Sequence, residues 1–163
     1  MNAPDWQPYF LFTGGAAAAL IGLIFVAMSL HVSQVMENPD WRGRARGSIS
    51  VLYFQLLLAI WVLVPGQSDV ILGAEIAFVG LFAVIVTGPR LWRIFEHAHF
   101  ERTVMLTYGL AMASYAAMVV AGLAILARQA TLAGGMLTLS TVTGFTFAIV
   151  SAWWFLARIG ETA

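Results

Sequence analysis

Five long apolar runs, separated by polar connections, dominate the hydropathy pattern of this 163-residue chain. A helix needs roughly 20 apolar residues to cross a bilayer core of about 30 Å, and each run meets or approaches that length. The pattern therefore predicts an all-α fold, a polytopic membrane bundle of five transmembrane helices forming a single domain. The predicted spans are residues 9–30, 49–64, 70–87, 103–127 and 132–157.

The connections between the runs carry further predictions. All five prolines fall outside the predicted spans, as expected for a residue that interrupts a helix. "VPGQSD" predicts a tight turn, because Pro65 and Gly66 suit the central positions of a type II turn. Residues 90–100 have apolar positions at helical spacing opposite Arg90 and Arg93, which predicts an amphipathic helix at the membrane interface.

The distribution of arginine predicts the orientation in the membrane. Five spans put seven of the eight arginines at one end of the bundle, and only Arg128 at the other. Because positive charge is enriched in cytoplasmic connections, we expect the N-terminus outside and the C-terminus in the cytoplasm. Five arginines are also candidates to bind anionic lipid headgroups: Arg42, Arg44, Arg46, Arg90 and Arg93.

Composition narrows the chemistry. Hydrophobic residues make up 61% of the chain and charged residues 10%, and there is neither cysteine nor lysine. Thiolate and lysine nucleophiles are thereby excluded, and a nucleic-acid binder is not expected without an extended basic face. No phosphate loop or catalytic triad occurs, so we expect no enzymatic activity and no cofactor. His31, His97 and His99 share one end of the bundle and are the candidates for a metal or haem site. We expect no metal, because His97 and His99 are two residues apart rather than three or four.

One carboxylate and several uncharged polar residues fall inside the spans. Glu75 lies within the third span, and an ionisable residue there is a functional candidate by default. Gln55, on the second span, is its expected partner. Two interpretations stay open: a hydrogen-bonded packing contact, or proton or cation handling. The hydroxyls of Tyr115, Ser140 and Thr143 either bond to their own helices or line a pore.

Rows of small residues at four-residue intervals predict close helix packing, because small side chains let backbones approach in lipid. They serve either the bundle of one chain or a contact between copies in a homo-oligomer. These candidates are Gly14, Ala18 and Gly22 on the first span, Gly109, Ala113 and Ala117 on the fourth, and Gly144 and Ala148 on the fifth.

The segments "FTGGAAAALIGLIFVAMSLHV" and "VLVPGQSDVILGAE" resemble small bacterial multispan proteins labelled "modulator of FtsH protease". That resemblance implies a regulatory partner of a membrane protease and transfers no catalytic residues. It also implies a bacterial inner (cytoplasmic) membrane as the location. From the residues themselves we expect a small inner-membrane protein, an oligomeric channel or channel-like transport protein for ions or small solutes. The alternative is a non-catalytic accessory subunit of a larger membrane complex.

Overall fold

The computed structural model describes residues 3–97 and 102–161, and throughout this part of the chain every regular element is a helix. Five of the six helices are long and apolar enough to cross a membrane, which confirms the all-α class and the five predicted spans. The short α2 lies between the first two of them. The helices are α1 (Ala3–Leu30), α2 (Val32–Glu37), α3 (Pro39–Val62), α4 (Asp69–His97), α5 (Arg102–Leu126) and α6 (Ala130–Glu161).

The first connection is more helical than the sequence pattern predicts. α3 begins at Pro39, so Arg42, Arg44 and Arg46 occupy its first turns and not a connecting loop. Asn38 caps the helix, since its Oδ1 accepts a hydrogen bond from the Trp41 amide at 3.3 Å. Proline is well tolerated at a first helical position, and arginine is a good helix former. The prediction missed this start because it followed hydropathy alone.

α4 also departs from the expected boundaries. Its backbone continues through Pro89 to His97, so this proline lies inside a helix, as does Pro8 in α1. At about 1.5 Å per residue, 29 residues span about 43 Å, which exceeds the bilayer core. Residues 90–97 are therefore a continuation of the spanning helix, not a separate one. Their side chains, and all of residues 98–101, lie outside the described part of the chain.

The two tight connections at the N-terminal end of the bundle have recognisable geometry. Gly66 has φ of +75°, the conformation that a type II turn requires at its second central position. Just beyond the end of α5, Arg128 has φ of +58°. Its amide donates to the Ile125 carbonyl at 3.0 Å, and the Gln129 amide donates to the Ala124 carbonyl at 2.8 Å. This pairing is the Schellman arrangement, which satisfies carbonyls that a helix end leaves exposed.

Four of the spanning helices form a ring, and α1 lies outside it. α3 packs on α6, α6 on α5 and α5 on α4, while a smaller contact between α4 and α3 closes the ring. α1 packs along α3 and touches α6 only slightly. Only 22% of the most apolar stretch of α1 is buried, against 50% for α3 and for α5. The fold is thus a four-helix bundle with a fifth helix added at the edge between α3 and α6.

Candidate functional site

A closed polar cluster occupies the centre of the four-helix ring. The Gln55 Nε2 of α3 donates to the Ser114 Oγ of α5 at 3.1 Å and to the Ser140 carbonyl of α6 at 2.9 Å. Ser114 Oγ donates to the same carbonyl at 2.8 Å. Thr141 Oγ1 approaches Gln55 Oε1 at 3.5 Å and also donates to the Leu137 carbonyl. The cluster therefore joins three helices through one amide side chain.

Gly144 leaves space for this cluster because it has no side chain. A Cβ on Gly144 would lie 2.8 Å from Gln55 Nε2 and 2.9 Å from Ser114 Oγ. A larger side chain would displace the amide from its partners. The glycine, which the sequence analysis assigned to helix packing, thus serves the contact of α6 with both α3 and α5.

Buried apolar side chains precede and follow the cluster along its helices. One helical turn from Gln55 in either direction, α3 carries residues that are at most 2% exposed: Val51, Leu52, Leu58 and Ala59. Met118 on α5 and Leu137 on α6 are likewise fully buried. Gln55 itself is 3% exposed and Ser140 is 0% exposed. Among the described residues, the polar centre is therefore an island with apolar neighbours on each of its helices. Other buried hydroxyls lie toward the arginine end of the bundle, those of Ser48, Thr107 and Ser151.

Two buried hydroxyls near this island have no hydrogen-bond partner within the described part of the chain, those of Ser48 and Tyr115. Tyr115 is 1% exposed and packs edge-on against Phe54, with ring centroids 5.5 Å apart. Tyr115 therefore contributes an aromatic ring to the core. Sequence reasoning singled out Tyr115 for its hydroxyl, whereas its burial comes from the ring.

Glu75 has a different partner from the one expected. Gln67, in the turn before α4, donates from Nε2 to Glu75 Oε2 at 2.6 Å. Glu75 is half-buried, six residues or about 9 Å into α4. The predicted pairing with Gln55 is wrong, because Gln55 faces α5 and α6, and α3 meets α4 over only a small contact. The carboxylate ties the α3–α4 turn to the first turns of α4.

The remaining hydroxyls of α6 mostly bond to their own helix. Thr143 Oγ1 donates to the Leu139 carbonyl at 2.7 Å, and Thr146 Oγ1 donates to the Val142 carbonyl at 2.7 Å. Thr138 does the same with Gly134 at 3.0 Å. Such bonds make a hydroxyl inexpensive in lipid. Of the hydroxyls singled out from the sequence, Ser140 joins the central cluster, whereas Thr143 lies beside it, half-buried.

The predicted packing rows divide into buried and exposed members. Gly14, Ala117, Gly144 and Ala148 are buried, whereas Ala18, Gly22, Gly109 and Ala113 are exposed. A four-residue step advances 40° beyond a full turn at 3.6 residues per turn, so such a row drifts off any single face. This drift explains why the row Gly109–Ala113–Ala117 begins exposed and ends buried.

The tightest helix contact uses glycines that the sequence analysis did not single out. A Cβ on Gly122 of α5 would meet the Ala77 amide nitrogen and lie 2.6 Å from the Gly73 carbonyl oxygen of α4. A Cβ on Gly80 would lie 2.8 Å from the Val119 amide nitrogen. The signal was present in the sequence, since Gly73, Ala77 and Gly80 recur at intervals of four and three residues.

At the basic end of the bundle, Arg44 lies over an aromatic ring. Arg44 Cζ lies 5.4 Å above the ring of Trp154, which joins α3 to α6. Arg42 and Arg46 are exposed. The side chains of Arg90, Arg93 and His97, and all of His99, lie outside the described residues. Within the part that is described, no three His, Asp or Glu side chains come together as a metal site, and His31 is half-exposed.

The chain matches no protein-family model, no curated protein and no solved structure.

Proposed function

We propose that this protein is a non-catalytic accessory component of a membrane assembly and that it binds another membrane helix through the outward face of α1. One observation carries the proposal. α1 presents glycines near the middle of its span that the chain does not need for its own packing: a Cβ on Gly15 or Gly22 would meet no atom within 4 Å. Glycines with equally open surroundings on the other helices lie within five residues of a span end: Gly43, Gly88, Gly109 and Gly135.

Unused glycines are informative because they are unfavourable. In a helix interior, glycine costs about 1 kcal/mol relative to alanine. Within the chain this cost has an evident reason at Gly14, where a Cβ would lie 2.8 Å from the Ala59 Cβ, but not at Gly15 or Gly22. Ala18 and Ala19 lie between them and are exposed as well. Small residues on one face allow another helix backbone to approach closely in lipid.

The closed polar cluster favours this function over transport through the chain's own bundle. A channel needs a continuous polar path, whereas Gln55 and its partners bond to one another between apolar layers. Glu75 is likewise engaged by Gln67 at the end of the bundle. An accessory protein requires only that its internal polar groups be satisfied. The resemblance to modulators of a membrane protease suggests the kind of complex.

The orientation that goes with this proposal has the N-terminus outside and the C-terminus in the cytoplasm of a bacterial inner membrane. The helix order supports it, because α3 begins, α4 ends, α5 begins and α6 ends at the same end of the bundle. Seven of the eight arginines belong to those helix ends. Labelling of single cysteines from outside intact cells tests this. Residue 67 should react and residue 42 should not.

Cross-linking tests the outward face of α1. The chain has no cysteine, so Gly22→Cys introduces the only reactive thiol, and Ile85→Cys on the exposed side of α4 is the matched control. We expect thiol cross-linking in membranes to give a defined adduct from residue 22 and none from residue 85. An adduct with a different protein supports the accessory function, and an adduct between copies supports a homo-oligomer. Equal behaviour of the two positions contradicts the proposal.

A stripe on α6 favours one second candidate, a pore around the symmetry axis of a homo-oligomer. This stripe consists of exposed residues that lie within about 80° of one another around the helix axis, along about 22 Å of helix: Thr131, Thr138 and Thr146. In an oligomer these hydroxyls would line an axis. Ion or solute flux into proteoliposomes that contain only this protein tests the pore. Flux that Thr138→Leu abolishes supports it, and absence of flux supports the accessory function.

A further inference from the structure

An apolar groove opens between α1 and α6 at the half of the bundle nearest the arginines. It encloses about 150 Å³. At the opposite end of the bundle the same two helices are in contact, since the Trp6 ring covers Gly134. α3 forms the floor of the groove. Its lining includes Leu20, Ile24 and Ala27 of α1, Leu52 of α3, and Ala148 and Ala152 of α6.

The groove lies within the membrane-spanning segments, so lipid surrounds its opening. Residues 6–30, 41–62 and 130–154 are the spans that line it. Its opening therefore faces hydrocarbon and not water. An apolar cavity of about 150 Å³ is large enough for about six carbon atoms, the size of benzene. The lining runs about 10 Å along α1, from Leu20 to Ala27. Volume and length both fit a segment of one acyl chain.

A positive charge is fixed near the end of this groove. Ala152 lines the groove, and two residues later Trp154 carries the Arg44 guanidinium 5.4 Å above its ring. On α3, Arg44 precedes Leu52 by eight residues, or about 12 Å. A guanidinium stacked on an aromatic ring keeps its in-plane N–H donors available for a phosphate. Among the side chains that the structure describes, no carboxylate pairs with Arg44.

The surrounding charge favours an anionic headgroup over a neutral one. Arg42 and Arg46 flank Arg44 and are exposed. Glu37 and Asp40 precede them, so residues 37–46 carry three positive and two negative charges, a formal net of +1. We infer that this groove binds one anionic phospholipid, with an acyl chain between α1 and α6 and its phosphate at Arg44. This inference does not depend on the proposed function.

Native mass spectrometry of the purified full chain, released from mixed micelles, tests the site. The probes are phosphatidylglycerol and phosphatidylcholine with identical acyl chains. We expect one retained phosphatidylglycerol per chain, and Arg44→Gln should lower its retention about fivefold, since a basic residue near anionic lipid contributes about that factor. Arg128→Gln, at the opposite end of the bundle, is the matched control and should leave retention unchanged.

Filling the groove tests the acyl-chain half of the inference. Ala27→Phe and Ala152→Phe alter half-buried positions of the lining, and each should lower retention of both lipids. Ala113→Phe, on an exposed face of α5, should not. Circular dichroism and gel filtration identify any variant that fails to fold. If one of the two groove variants fails to fold, the other is sufficient for the test. Three results would overturn the inference. The unmodified protein could retain both lipids equally, or Arg44→Gln could keep the preference for phosphatidylglycerol. A folded groove variant could also retain lipid as well as the unmodified protein does.

Discussion

The contact between α4 and α5 and the contact of α1 with the bundle use glycine in opposite ways. At the first contact, Gly73, Gly80 and Gly122 bring backbone atoms of one helix against the other. On α1, only Gly14 faces a neighbour closely, whereas Gly15 and Gly22 face open space. α4 and α5 are therefore fixed by main-chain proximity, while much of α1 remains available for contacts outside the chain.

The difference shows that a small residue in a membrane helix has no single meaning. Little hydrophobic force acts between helices in lipid, so close packing holds them together. Where that packing occurs within the chain, a substitution should destabilise the fold. Where it occurs between chains, the same substitution should leave the fold intact and weaken assembly. Stability and assembly measurements on matched positions can therefore separate the two uses.

The largest expected effect belongs to Gly122. Gly122→Ala places a Cβ against the backbone of Ala77 and Gly73, which cannot move aside as a side-chain end can. Overpacking typically costs about 1–3 kcal/mol and occasionally more, so we expect a loss of at least about 3 kcal/mol in the free energy of unfolding. Gly22→Ala, where the Cβ meets nothing, is the control and should not destabilise the fold. Steric-trap unfolding in bicelles measures both.

If Gly122→Ala were as stable as Gly22→Ala, the two helix contacts would be equivalent and the comparison would fail.

A pair of alanines on α5 sharpens the comparison within one helix. Ala117 is 4% exposed and Ala113 is exposed. Ala117→Leu should lower the free energy of unfolding by about 2–3 kcal/mol, because the added carbons overpack the bundle. Ala113→Leu should change it by less than about 0.5 kcal/mol, as surface substitutions usually do. The same unfolding assay distinguishes them, and similar losses at both positions would place α5 differently from the structure.

The next effect concerns a contact made by hydrogen bonds and not by glycine. Gln55 Nε2 approaches Ser114 Oγ, the Ser140 carbonyl and Ser140 Oγ. Its two N–H groups can donate two hydrogen bonds to these atoms, and Gln55 Oε1 accepts a third from Thr141 Oγ1. At about 0.6 kcal/mol for each interhelical hydrogen bond in a membrane protein, Gln55→Leu should cost about 2 kcal/mol. Thr146→Val removes a hydroxyl that bonds only within α6 and should cost far less. A double-mutant cycle of Gln55→Leu with Ser114→Ala should show coupling, and additive losses would contradict the cluster.

The number and order of the spanning helices could be predicted from the sequence, because a bilayer requires long apolar runs and the hydropathy pattern records them directly. Helix ends were less predictable. The start of α3 depends on the Asn38 cap and on arginines that are polar yet favour helix. Hydropathy alone assigns such residues to a connection.

The partners of polar residues could not be predicted, because they depend on which faces meet. Gln55 and Glu75 were both identified as polar residues inside spans, but their expected pairing required α3 to turn Gln55 toward α4. The structure turns it toward α5 and α6. Similarly, the four-residue spacing selected Gly22, which is exposed, and not Gly122, which is buried against α4.

The smallest expected effect is at Glu75, where α4 is tied to a turn and not to another spanning helix. Glu75→Gln keeps an oxygen that can accept the hydrogen bond from Gln67 Nε2, so the free energy of unfolding should change by less than about 1 kcal/mol. Glu75→Leu removes the acceptor and leaves the Gln67 amide without this partner, which should cost about 1–2 kcal/mol. Unfolding of both variants in bicelles at neutral pH measures the difference.

Equal stability of the glutamine and leucine variants would show that the hydrogen bond does not hold the turn. A glutamine variant that folds normally but loses a pH-dependent flux in proteoliposomes would instead assign the carboxylate to proton or cation handling.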